Sequence, residues 1–172
     1  MIDSIISFFT HPFFSVVGGI SSILVIFGFF YTGFIIFKGV LPLWIRLGRG
    51  LANRKIAIFA EDEFNDLRSL LVDSKIFKDK NIVQITKKNI KKAEEYTLML
   101  VHWKCFESEI DEILAIKKDT DALIVYAPQD EGFLNKLDLN KINSARNTIL
   151  VNFRGRLLND VTLSMITTAF KA

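Results

Sequence analysis

The longest apolar segment of the chain is residues 13–37, twenty-five consecutive positions without a charged side chain. As a helix, this segment would be about 37 Å long, which exceeds the roughly 30 Å hydrocarbon core of a bilayer. A secretory signal peptide has a positive N-terminal region and an apolar core of about 7–15 residues. Here the first charge is Asp3 and the apolar segment is far longer. The pattern therefore predicts a transmembrane helix that stays in the protein.

After residue 55, short apolar runs alternate with amphipathic segments. The runs lie at 56–60, 82–85, 98–102, 122–127 and 148–153. Runs rich in Val and Ile are typical of strands that are covered on both faces of a parallel sheet. Helices are predicted at 63–77, 89–95, 107–118, 130–145 and 156–170. Five β–α units in succession predict a doubly wound, mainly parallel five-stranded Rossmann-like α/β domain over residues 56–172, in which the fourth unit can include a long loop.

The two segments that flank the predicted span are also apolar in part. Residues 1–12 predict a short amphipathic segment lying on the outer leaflet. Residues 38–55 predict a basic amphipathic connector, in which Gly39 and Pro42 break or bend the helix of the span. A second helix then follows, with Trp44 at the level of the lipid headgroups.

Charges on the two sides of the span differ in sign and number, and they predict its orientation. The C-terminal flank carries five positive residues and no acidic one: Lys38, Arg46, Arg49, Arg54 and Lys55. Positive residues mark the cytoplasmic side. We therefore expect a single-pass protein of the bacterial inner (plasma) membrane, with its N-terminus outside and the α/β domain in the cytoplasm.

The net charge of +3 comes from this connector, because residues 56–172 hold 17 basic and 18 acidic side chains. A near-neutral domain does not predict general nucleic-acid binding. One cysteine and two histidines exclude an intrachain disulfide and a Cys-rich metal site, and no metal or cofactor is expected.

Small residues in the span predict a homo-oligomer in the bilayer. Gly18 with Ser22, and Gly28 with Thr32, are four residues apart, and Gly33 follows. This spacing lets helices approach closely in lipid. The alternative is that glycine is simply common in membrane helices.

Ligands of open parallel α/β sheets bind at the carboxyl ends of the strands. Asn152, Arg154, Gly155 and Arg156 follow the fifth run and open the last helix, where the helix dipole and two guanidinium groups favour a phosphate. The alternative is that the two arginines pair with Asp160 or with the carboxylates after the first run.

A second candidate cluster follows the third run. His102 and Trp103 can stack on a nucleobase and hydrogen-bond to it, with Gln129 near them at the end of the fourth run. The alternative is that the His–Trp pair closes the core. A nucleophilic pair of His102 with Cys105 is conceivable but lacks an orienting third group. Asp62 and Glu63 after the first run are predicted to cap the first helix of the domain.

One span, a basic connector and a Rossmann-like domain without a visible catalytic set resemble the layout of small membrane effectors of bacterial anti-phage systems. In those with a CARF-type or TIR-like domain, a nucleotide second messenger binds the soluble domain and the spans disrupt the membrane. The resemblance implies a membrane-anchored oligomeric effector or sensor. Two alternatives remain: a membrane-tethered TIR-like enzyme that cleaves nucleotides with a carboxylate such as Glu61 or Glu107, and a protein-interaction scaffold.

Overall fold

A computed structural model describes residues 12–45, 48, 54–132 and 134–168. The chain divides into two compact units, Met1–Ile45 and Arg46–Ala172. The predicted external segment falls on residues 1–11, which lie outside the described residues, as do Arg46 and Arg49 of the connector.

The N-terminal unit is one long apolar helix. Helix α1 spans Pro12–Ile35, and the 30-residue helical stretch Val16–Ile45 contains an 18-residue window with a mean hydropathy of 2.2 and no buried residue. Proline fits the first helical position, because the amide that it lacks has no partner there. A 30-residue helix is about 45 Å long. This helix is long and apolar enough to cross a membrane.

The expected break at Gly39 and Pro42 takes another form. Ile36–Val40 is wound as a π-helical turn, in which the amide of Leu41 donates to the carbonyl of Ile36, and residues 41–45 remain helical. Proline clashes with the carbonyl four residues before it in a regular α-helix. The wider turn accommodates Pro42, so the described part of the connector continues the helix rather than starting a second one.

The C-terminal unit contains the predicted five-stranded parallel sheet. Its strands are β1 (Ile56–Phe59), β2 (Ile82–Ile85), β3 (Leu98–His102), β4 (Ala122–Tyr126) and β5 (Thr148–Val151). The order across the sheet is β2-β1-β3-β4-β5, and each neighbouring pair is parallel. All five strands lie within the predicted runs, so the fold class is confirmed.

Three α-helices are shorter than predicted, namely those at 63–77, 107–118 and 130–145, whereas the last one begins two residues earlier than predicted and a short helix after the third strand was not predicted. The helices are α2 (Phe64–Asp73), α3 (Trp103–Phe106), α4 (Ile110–Ile116), α5 (Lys136–Ser144) and α6 (Arg154–Thr167). The segment Ile90–Glu95 is a 3₁₀ helix rather than an α-helix. The prediction of a helix from residue 130 was wrong, because α5 begins only at Lys136, where the side chain of Asn135 accepts a hydrogen bond from the amide of Asp138.

Both faces of the sheet are covered. Ile56 and Ile58 pack on one face with α2 and α6, whereas Ala57 and Phe59 pack on the other with α3, α4 and α5. Adjacent strand residues point to opposite faces. The two apolar layers explain why the strands read as continuous apolar runs, and they confirm a doubly wound domain.

Arg54 lies inside this domain. Its side chain is 3% exposed and donates four hydrogen bonds, to the hydroxyl and carbonyl of Thr97, the carbonyl of Met165 and the hydroxyl of Thr168. Burial lowers the pKa of Arg54 to about 10, and the charge of Asp121 acts in the opposite direction. Arg54, which was counted among the positive residues of the flank, is therefore a structural residue of the α/β domain.

Candidate ligand cleft and the His102 cluster

A cleft of about 480 Å³ opens at the carboxyl edge of the sheet. It is lined from the ends of β1, β3, β4 and β5, beside the point where the strand order reverses at β1. Four of the predicted ligand-binding residues line it: His102, Gln129, Asn152 and Arg154. We call this the carboxyl-edge cleft. Its position is the one that open α/β sheets use for ligands.

The cleft is mainly acidic, whereas the predicted phosphate site was basic. Four carboxylates line it, those of Glu63, Asp66, Asp130 and Glu131, against the single guanidinium of Arg154. A surplus of negative charge repels a free phosphate. An anionic ligand must therefore bring a cation with it or displace an existing ion pair.

Arg154 is already paired. Its Nη1 and Nη2 atoms donate to the two carboxylate oxygens of Asp66, with a distance of 2.7 Å from Nη2 to Oδ1. The hydrogen bond from Arg154 holds the pKa of Asp66 below its usual value, and the same bond raises the pKa of Arg154. Arg154 is therefore paired with a carboxylate, as in the alternative to phosphate binding, but its partner is Asp66 of α2 rather than Asp160 or a carboxylate directly after the first run.

Gly155 and Arg156 are not among the residues that line the cleft. The side chain of Arg156 is 70% exposed, and its guanidinium lies 3.9 Å from the carboxylate of Asp160. A Cβ atom on Gly155 would meet open space. The start of α6 thus brings one of the two guanidinium groups to the cleft and leaves the other in solvent.

Trp103 lies in the core rather than in the cleft. Its side chain is 5% exposed and belongs to the apolar layer that contains Met99 and Phe106. Two other aromatic residues, Tyr126 and Phe153, line the cleft, and the ring centroid of Tyr126 lies 5.9 Å from that of His102. Burial raises the pKa of Tyr126. Tyr126 was not predicted as a site residue, because it belongs to a continuous apolar run that indicated only a buried strand.

His102 is the centre of a polar cluster in the wall of the cleft. It is 1% exposed, and its Nδ1 atom lies 3.2 Å from Sγ of Cys105 and 3.8 Å from Oε2 of Glu63. The thiol of Cys105 lies 3.4 Å from the same oxygen. Glu63 makes no capping hydrogen bond to α2, contrary to the prediction for this residue. We call Glu63, His102 and Cys105 the His102 cluster.

The other ring nitrogen of His102 faces Glu131. Nε2 lies 3.1 Å from Oε2 of Glu131, but the direction of the ring N–H does not give a good hydrogen bond, so both buried atoms lack a partner among the described residues. Glu131 is the carboxylate beside the imidazole that could not be identified from the sequence. The feature of the sequence that could have indicated Glu131 is its position just after the fourth apolar run.

The side chains of the His102 cluster are of the types that bind metals. Cys105, His102 and Glu131 also lie in the sequence of contacts, thiol to imidazole to carboxylate, that catalytic cysteines use. The pKa of the Cys105 thiol is raised, chiefly by burial, although a hydrogen bond with the backbone of Glu61 lowers it. A thiol with a raised pKa is a poor nucleophile, because the thiolate is the reactive form. The geometry thus favours binding over nucleophilic catalysis.

A smaller apolar pocket of about 130 Å³ adjoins the cleft. It shares Gln129 and Asn152 with the cleft and is otherwise lined by apolar residues such as Leu134, Leu139 and Leu150. The side chains of Gln129 and Asn152 therefore lie between a polar space and an apolar one.

Comparison with protein-family models, with curated proteins and with solved structures gives no match for the chain.

Proposed function

We propose that the protein is a membrane-anchored sensor whose α/β domain binds a small ligand in the carboxyl-edge cleft and acts through the N-terminal helix. The observation that carries the proposal is the cleft itself, placed beside the reversal of strand order with a volume of about 480 Å³. Small-molecule sites have volumes of roughly 300–1,000 Å³ and occur at such positions.

The ligand class that we propose is a signalling nucleotide bound together with a divalent cation. Gln129 and Asn152 offer amide groups to a base or sugar, and the adjoining pocket offers apolar surface. Phosphates alone would meet the four carboxylates of the cleft. A bound cation offsets that repulsion, and Arg154 can add a contact if Asp66 releases it.

Sensing is favoured over nucleotide cleavage. Glu61 and Glu107, the carboxylates considered for a TIR-like enzyme, are both exposed and are not among the residues that line the cleft. Cys105 is held as a thiol by burial. A site that offers binding groups without an activated nucleophile supports recognition rather than turnover.

The membrane part of the proposal rests on the apolar helix and the charge of its flanks. The helix spans the bacterial inner membrane with its N-terminus outside, and several copies associate through Gly18, Ser22, Gly28, Thr32 and Gly33. The hydroxyl of Ser22 bonds to the carbonyl of Gly18 within the same helix, which leaves a smooth surface of small residues. Ligand binding then alters this assembly, in a defence against phage.

Ligand binding is tested with the full chain in detergent micelles. Cyclic nucleotides and NAD are added with and without Mg²⁺, and thermal unfolding is followed. We expect one nucleotide to raise the unfolding temperature in the presence of Mg²⁺, without being consumed. Arg154→Ala should reduce this response, whereas the matched variant Arg156→Ala, which removes a guanidinium outside the cleft, should not.

Two results would replace the proposal. Consumption of NAD or of a cyclic nucleotide identifies an enzyme, and an unfolding temperature that no nucleotide changes leaves a protein-interaction scaffold. Orientation is tested separately by fusing reporters after Ala172. We expect an active fluorescent protein and an inactive alkaline phosphatase, and the opposite pair of results contradicts a cytoplasmic domain.

A further inference from the structure

The three side chains of the His102 cluster have the mutual distances of ligands around one metal ion. The edges of the triangle formed by Glu63 Oε2, His102 Nδ1 and Cys105 Sγ are 3.2, 3.4 and 3.8 Å. A tetrahedral zinc ion with bonds of about 2.0–2.3 Å separates its ligands by about 3.3–3.5 Å. The described side chains therefore need to move by only a few tenths of an ångström to share an ion.

Glu131 places a carboxylate beside the second ring nitrogen of His102, where a metal-binding histidine needs one. Its Oε2 atom lies 3.1 Å from Nε2 of His102, on the side of the ring opposite Cys105. Histidines that bind metals usually donate their second ring N–H to a carboxylate. With the proton on Nε2, the lone pair of Nδ1 is free on the side where Cys105 Sγ and Glu63 Oε2 lie within 3.2 and 3.8 Å, so the ring can act as a neutral ligand.

Burial and charge also favour a cation at this place. His102 is 1% exposed, and its Nε2 atom and the facing Oε2 atom of Glu131 have no hydrogen-bond partner of good geometry among the described residues. An ion bound at Nδ1 would keep the ring proton on Nε2, where a small rotation of the ring lets it bond to Glu131, so that both atoms gain a partner. Two carboxylates, from Glu63 and Glu131, meet at this imidazole, and a divalent cation would balance them.

We propose that Glu63, His102 and Cys105 bind a divalent ion of the zinc class. Imidazole, thiolate and carboxylate are all zinc ligands, and three protein ligands leave a fourth position for water or another ligand. Binding converts the Cys105 thiol to a thiolate, and its proton passes to solvent. Glu63 and His102 also line the carboxyl-edge cleft, so the ion lies at its wall. The site stands whether or not the cleft binds a nucleotide.

The test uses Co²⁺ as a spectroscopic probe for the full chain in detergent, purified without a histidine tag and depleted of metal. Cys105 is the single cysteine of the chain, so a thiolate-to-cobalt charge-transfer band reports this site alone. We expect the band to grow to one equivalent of Co²⁺, with the visible absorption of a tetrahedral ion, and to vanish when Zn²⁺ is added.

Variants separate binding from misfolding. Cys105→Ser should abolish the charge-transfer band, and Glu131→Gln should weaken Co²⁺ binding by about 10–100-fold, as loss of a supporting carboxylate does in other sites. Glu63→Gln, at a partly exposed side chain, should weaken binding at least as much while the circular dichroism spectrum stays unchanged. Asp62→Asn is the matched control, because it removes the neighbouring, exposed charge.

Two outcomes overturn the proposal. One is the absence of a charge-transfer band at millimolar Co²⁺, which leaves the three side chains as a hydrogen-bonded cluster only. The other is equal Co²⁺ affinity in Glu63→Gln and in Asp62→Asn, which places the ion elsewhere.

Discussion

Replacing Arg54 with alanine removes the guanidinium that binds both the end of α6 and the residue before β3. Its four hydrogen bonds reach the carbonyls of Thr97 and Met165 and the hydroxyls of Thr97 and Thr168. Asp121, itself 2% exposed, loses the positive charge near it. Loss of one partner from a buried charged network destabilises a protein by about 3–5 kcal/mol.

That loss is large beside the total stability of about 5–15 kcal/mol that is usual for a domain. For a domain of this size we expect Arg54→Ala to lower the unfolding temperature by roughly 10–20 °C. Arg54→Lys keeps the charge but loses the planar fork of donors, so we expect an intermediate loss. The exposed neighbour Lys55 provides the matched control, since Lys55→Ala also removes one positive charge.

The assay uses fluorescence in a Trp44→Phe background. The chain has two tryptophans, and the remaining one, Trp103, is buried in the α/β domain, so its emission follows unfolding of this domain alone. Urea midpoints are compared at equal slope, which gives the change in free energy of unfolding. A loss below about 1 kcal/mol for Arg54→Ala, or an equal loss for Lys55→Ala, refutes the assigned role.

Three further predictions concern other contacts. The folded-state pKa of Asp66 lies below the unfolded value of about 3.9, so its pairing with Arg154 stabilises the protein above about pH 4 and is lost as pH falls through the folded-state pKa. Asp66→Asn should make the free energy of unfolding less dependent on pH below about pH 4. A double-mutant cycle of Asp66 and Arg154 should give a coupling energy of about 0.2–1 kcal/mol, since both side chains are about half exposed. A coupling energy of zero contradicts the pairing. Gly33→Leu should reduce cross-linked oligomers in membranes, whereas Val25→Leu should not, and monomers alone in the unmodified protein contradict assembly. Asn135→Ala should cost about 1 kcal/mol in urea unfolding through loss of the cap of α5, and an unchanged midpoint excludes that cap.

The three central strands, β1, β3 and β4, were predictable because they are buried on both faces, and the edge strands β2 and β5 are half-buried. Runs such as 122–127 carry the signal in consecutive residues, and β4 occupies Ala122–Tyr126. Helix limits were less predictable because they depend on turns rather than on periodicity. Gly132 has a φ of +109°, a conformation that side-chain-bearing residues rarely adopt, and this residue separates the turn Gln129–Glu131 from α5.

The location of the cleft followed from fold class alone, whereas its chemistry did not. Arg154 and Asp66 are 88 residues apart, so no local pattern shows that the carboxylate already binds the guanidinium. Glu63 likewise reads as a helix cap beside its own helix and turns instead to Cys105 on another element. No metal site was expected, because the chain has one cysteine and two histidines. The proposed ion departs from that expectation.

The π-helical turn at Ile36–Val40 has an angular consequence. An α-helix turns by about 100° per residue, and a π-turn takes up one residue more than the α-helical path. Residues 41–45 are therefore rotated about the helix axis by about 100° from the positions that they would have in an uninterrupted α-helix. Pro42→Ala removes the steric reason for the turn, and a return to α-helical winding would rotate Trp44 around the helix axis without altering its depth by more than about one residue rise. The side of the helix on which each of residues 41–45 lies is thus set by a single surplus residue.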